Sequence, residues 1–219
     1  MTATNTRHAT TPATASRNWR SSASCQGIDE DAIFSTRPTV QAKVQGICRG
    51  CPVRAVCLQN MVRVEGDDYL VWGVAGGLTD MQRRALRTEM LLGNVPNLEQ
   101  AELLTRPWFA QFMRDWRAWP PETVAAELRK HNMLASPVTV RLALWWTGAH
   151  AGLIGPRASE DARSDWMVVR DEHRATVRRL RAMDVPNVDV AAYLGVAKDA
   201  VERAVRAWRL AQGREVQAA

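Results

Sequence analysis

Three cysteines, Cys48, Cys51 and Cys57, fall within ten residues, and the fourth, Cys25, lies a short way upstream. The spacing reads C, twenty-two residues, C-x-x-C, five residues, C, and the rest of the chain holds no cysteine. Two cysteines three apart on a helix or tight turn direct their sulfurs to the same side. Cys48 and Cys51 can therefore serve one centre, Cys57 returns to it from the following turns, and Cys25 must close it from a separate segment.

Thiolate is a soft ligand, so a four-sulfur site selects zinc or an iron-sulfur cluster over magnesium or calcium. Structural zinc is the direct rival of a cluster, although four-cysteine zinc sites commonly supply two C-x-x-C pairs and one is present here. A thioredoxin-like redox motif would need a surrounding βαβ pattern, which this segment lacks. A disulfide-reductase enzyme would require a reactive exposed thiol pair. Structural disulfides would require an oxidising compartment, of which the chain gives no sign. Pro52 after Cys51 suits the start of a helix, where its missing N–H costs nothing.

The residues Trp19-Arg20, Cys25 with Asp29 and Phe34, Cys48-x-x-Cys51-Pro52-Val53-Arg54-x-x-Cys57, and Gly73-Val74-Ala75-Gly76-Gly77-Leu78-Thr79 resemble the WhiB-like family of actinobacteria and their phages. The resemblance covers roughly residues 17 to 90. It implies a 4Fe-4S cluster on Cys25, Cys48, Cys51 and Cys57 in a small helical domain, and a redox- or nitric-oxide-responsive transcription factor. One zinc ion on the same ligands, in a DNA-binding protein without sensing, is the alternative. The resemblance also implies docking on the primary sigma factor of RNA polymerase through the glycine-rich turn. The family's turn carries a tryptophan where this chain has Ala75, so Trp72 is the nearest substitute, and Trp72, Gly73, Gly76 and Gly77 are the expected sigma contact.

The composition bounds the partners. A formal charge of +6 and a pI near 9.7 suit contact with an anionic polymer such as DNA. No run of eighteen apolar residues occurs, so no membrane partner is expected. The segment from Met1 to Ser16, rich in Thr, Ala and Ser, lacks the apolar core of a signal peptide and reads as a disordered tail (1–16) of a cytoplasmic protein.

Periodicity predicts an all-α chain. A helix from Val40 runs into Cys48, and another spans Val53 to Val64 before the breaker Gly66-Asp67-Asp68. Thr79 and Gln82 form a capping box that opens a helix to about Leu92, whose Arg83, Arg84 and Arg87 read as a DNA-contacting or solvated face. Gly93 to Asn97 marks a boundary closing the WhiB-like domain, 17–92. A second helical domain, 98–154, resembles a degenerate helix-turn-helix. Its segment Val138 to Trp146 is apolar on most sides, as befits a core or dimer helix rather than one that reads bases.

After the polar linker Gly155 to Ser164, the apolar positions Trp166, Val169, His173, Val177 and Leu180 predict one long amphipathic helix ended by Pro186. A short helix to Leu194, a turn at Gly195 and a helix from Ala197 complete a helix-turn-helix over 165–211. Val201, Ala204, Val205 and Trp208 are expected inward, with Lys198, Arg203, Arg206 and Arg209 on the DNA-binding side. Val124 to Leu128 and Val190 to Leu194 are similar and hint at a duplication. His131, His150 and His173 read as ordinary histidines. The whole reads as a regulator with no catalytic residues, not an enzyme.

Overall fold

The computed structural model describes residues 18–64, 72–148 and 164–217. The expected tail 1–16, the breaker Gly66-Asp67-Asp68, His150 and nearly all of the linker 155–164 lie outside the described residues. The fold is all-α. Among the described residues there is no strand, and the lone β-bridge joins Ala75 and Leu78 in the glycine-rich turn.

A 3-10 turn at Trp19–Ser22 and the short helix α1 (Glu30–Ile33) lead into α2 (Pro38–Arg49), which has proline in its first turn. Helix α3 (Arg54–Val64) follows immediately. Cys48 thus lies in the last turn of α2, Cys51 in the connection, and Cys57 in the first turns of α3.

Helix α4 (Asp80–Leu91) opens with the expected capping box, in which the Thr79 hydroxyl and the Gln82 side chain each accept the other residue's backbone N–H. Four short helices follow: α5 (Leu98–Leu104), α6 (Pro107–Asp115), α7 (Pro121–Lys130) and α8 (Pro137–Trp146). The Ser136 hydroxyl accepts the Thr139 N–H at the start of α8, with Pro137 at the first helical position. Every residue from Val138 to Trp146 is buried, so α8 is a core helix.

The interval 93–97 turns the chain between α4 and α5 without dividing the core. Leu58, Leu78 and Leu86 share one cluster with Leu104, Met113, Val140, Leu144 and Trp146.

The predicted long helix through Trp166 and Leu180 is two helices, α9 (Asp165–Glu172) and α10 (Arg174–Ala182). His173 departs from helical geometry at φ −112° and ψ 13°. Neither proline nor glycine stands there, so the apolar period ran through the break undisturbed. Helix α10 ends before the left-handed Asp184, and Pro186 serves as N-cap of α11 (Asn187–Leu194).

Gly195 caps α11 in the left-handed conformation at φ 76°, and α12 (Lys198–Gln217) follows. Val177, Leu180, Val190, Leu194, Val201 and Ala204 form a second core, with Val205 and Trp208 packed at its edge. Helix α4 joins the two clusters. Leu92, at its end, packs on the second core, and Ala192 of α11 belongs to the first.

Candidate metal centre and nucleic-acid interface

The four cysteines line one cavity of about 460 Å³. Its remaining wall is largely apolar and includes Trp19, Phe34, Val44, Trp72 and Val74. All four thiols are free and half-buried. Among the described residues no three His, Cys, Asp or Glu side chains converge on one ion-sized point.

Burial pushes the Cys48 thiol up to about 11, opposed by the backbone N–H of Gly77, which hydrogen-bonds to its sulfur. Burial likewise raises Cys57, and there the N–H of Gly76 acts in opposition. The neighbouring cysteines raise both further, since thiolates gathered in one cavity repel. A cationic metal group would relieve that repulsion and hold the sulfurs deprotonated. Ser24 adds a backbone N–H 3.5 Å from the Cys51 sulfur.

The glycine-rich turn is therefore part of the sulfur site. A Cβ on Gly76 would lie 2.6 Å from the Cα of Leu58, so only glycine lets the turn approach α3 closely enough to aim its N–H groups at the cavity. A Cβ on Gly73 would likewise strike the carbonyl of Ile33. Gly73, Gly76 and Gly77 are buried, while Trp72 is 55% exposed beside the equally exposed Phe34. Of the residues expected to meet a sigma factor, Trp72 alone presents a large side chain to solvent.

Two buried residues whose part in it the sequence does not signal, Arg83 and Trp146, hold this turn. Arg83 is fully buried and donates to the carbonyls of Trp72, Gly73 and Leu78 at 2.8 to 3.0 Å. Trp146 of α8 donates from Nε1 to the Gly76 carbonyl at 2.7 Å. The Arg54 guanidinium lies 4.1 Å from the Trp146 ring centre and bonds to both Glu102 carboxylate oxygens, at 3.0 and 2.5 Å.

The reading of the α4 arginines as a DNA-contacting or solvated face is overturned for Arg83 and Arg84. Arg83 and Arg84 are buried, Arg87 is half-buried, and Arg84 pairs with Asp189 of α11. A run of arginines on an amphipathic helix looks the same in sequence whether its partners are water or backbone carbonyls.

Lys198, Arg203, Arg206 and Arg209 all lie exposed on α12. Lys198 sits 3.3 Å from Glu202, and Arg203 sits 3.8 Å from Asp199. No helix among the described residues is long and apolar enough to cross a membrane.

Comparison with known proteins accords with this cysteine-centred helical unit. The family of the transcription factor WhiB matches residues 19–86. Transcriptional regulator WhiB2 of Mycobacterium tuberculosis is 30% identical over 76 residues, covering 35% of this chain and 81% of that protein. The chain belongs to the WhiB family. Transcriptional regulator WhiB4 of Mycobacterium marinum is 42% identical over 69 residues, 32% of this chain and 55% of its own length. Transcriptional regulator WhiD of Streptomyces coelicolor is 32% identical over 76 residues, 32% of this chain and 64% of that protein. The chain spans about half the length of the WhiB4 relatives it matches. No solved structure matches it. The matched region ends within α4, so α5 to α12 lie outside it.

Proposed function

We propose that the chain is a cytoplasmic transcriptional regulator whose Cys25, Cys48, Cys51 and Cys57 hold a 4Fe-4S cluster. It docks on the primary sigma factor through Trp72, contacts promoter DNA through α12, and answers to redox state or nitric oxide; no catalytic role is assigned to it. The single observation that carries this reading is the four-thiol cavity of about 460 Å³. One zinc ion on the same four sulfurs, each about 2.3 Å from the metal, is the alternative that metal analysis separates. A polynuclear cluster suits four thiols lining one cavity, and the apolar wall and the Gly76 and Gly77 N–H groups are the features that tune such a group.

When bound, the cluster would supply one-electron redox chemistry and reactivity toward nitric oxide. The chain's part is to hold it and to read it out. The turn that gives N–H groups to Cys48 and Cys57 also carries Trp72, so the sulfur site and the docking residue share one piece of backbone. Exposed Trp72 and Phe34 form the aromatic anchor expected of a protein contact. The organisation proposed is a WhiB-like cluster unit (17–92) and a helical unit (98–154) that share one core, followed by a helix-turn-helix (165–211) that takes DNA.

The test is anaerobic reconstitution of single Cys→Ala variants. Each of the four should lose nearly all bound iron, whereas a variant that keeps wild-type iron would remove that cysteine from the ligand set.

A further inference from the structure

We propose that the cleft between α10 and α12 is a second anion-binding surface, which grips the phosphodiester backbone of duplex DNA beside the α12 face. The inference rests on the helix-turn-helix reading above and adds residues to it. Arg174, Arg178 and Arg181 fall at four- and three-residue steps on α10, so they share one side of the helix. With Arg209, Trp208 and Gln212 of α12 they line a cleft of about 240 Å³.

No carboxylate is among the described residues lining this cleft. The contrast with the α12 face is direct. There Lys198 and Arg203 stand opposite Glu202 and Asp199, at 3.3 and 3.8 Å, and part of their field is cancelled. Four guanidinium groups around one cleft, without an acid, present the stronger local attraction for an anion.

The floor of the cleft is fixed. The Trp208 Nε1–H donates to the Arg170 carbonyl at 3.1 Å, and the Arg174 guanidinium lies 5.8 Å from the Trp208 ring centre. Arg209 belongs to both the cleft and the α12 face, so the two surfaces are continuous. The first helix of a helix-turn-helix, here α11, crosses the DNA backbone while the second enters the groove; α10 directly precedes α11 and adds cations beside that crossing, and phosphate contacts set register rather than sequence. The acid-free arginine cleft assigns α10 to the phosphates, and α12 to the groove.

The experiment uses the full chain with labelled duplex DNA across a range of salt. Each lost phosphate contact lowers the slope of log K against log salt by about 0.9. Arg174→Ala with Arg178→Ala should reduce the slope by nearly two units at every sequence tested, and Arg174→Lys with Arg178→Lys should restore most of it. An unchanged slope in the alanine pair, while Arg203→Ala with Arg206→Ala still weakens binding, would overturn the cleft and leave the helix-turn-helix reading standing. If the wild-type chain shows no salt-dependent binding at all, both fall.

Discussion

Arg84 of α4 and Asp189 of α11 meet at 2.7 Å with their side chains 8% and 4% exposed, a buried ion pair between residues 105 apart in sequence. Its neighbour Arg83 holds the glycine-rich turn. One helix thus carries, on adjacent residues, the brace of the sulfur site and the bond to the helix-turn-helix. Removing one partner of a buried pair leaves an uncompensated charge, typically at a cost of about 3–5 kcal/mol. Arg84→Met and Asp189→Leu should each destabilise the chain by that order in urea unfolding, and the double variant by clearly less than their sum. Additive costs would show that the two residues do not act as a pair.

Trp146 ties the extension to the turn. Trp146→Phe keeps most of the packing but removes the donor to the buried Gly76 carbonyl. An unpaired buried carbonyl costs about 1–3 kcal/mol, so the variant should unfold earlier by that amount and lose bound iron faster in air. Iron retention equal to wild type would separate α8 from the sulfur site.

Trp72 is the exposed tip of the turn, with its backbone fixed by Arg83. Trp72→Ala should abolish co-purification with the primary sigma factor while leaving DNA binding intact, because α12 lies elsewhere on the chain. Undiminished co-purification would place the sigma contact on another surface.

The pH behaviour of the cluster-free chain follows from burial. Cys48 rises from an ordinary thiol value of 9.0 to about 11, and Cys57 also rises. The folded chain then holds these protons more tightly than the unfolded one. The Cys48 contribution to stability is complete below about pH 9 and is lost as pH climbs through about 11, and Cys57 acts in the same direction. Alkylation of Cys48, mapped by mass spectrometry, should accelerate steeply across that window, whereas a rate already level at pH 8 would mean that the thiol is not raised.

Local rules foretold much of the helical framework. The capping box at Thr79, the Ser136-Pro137 start of α8 and the left-handed Gly195 stand where their chemistry puts them. The gathering of four cysteines was legible for the same reason, since spacing alone brings Cys48, Cys51 and Cys57 to one place. Partners distant in sequence were hidden. Nothing around Arg84 signals Asp189, nothing around Trp146 signals Gly76, and an apolar α8 could equally have met a second chain. The break at His173 was invisible because the apolar residues on either side keep a helical step through it. The lining of arginines along α10 was in plain view in the sequence, but the cleft they form with α12 depends on how the two helices pack.

The most direct measurement is iron, sulfide and zinc analysis of the anaerobically purified wild-type chain, with its visible absorption spectrum. A 4Fe-4S cluster on the four cysteines predicts iron and sulfide in equal amounts, near four of each per chain, and a broad visible band that bleaches in air or nitric oxide. One zinc per chain and a colourless protein would contradict it, leaving the cysteines a structural site and removing the sensing role.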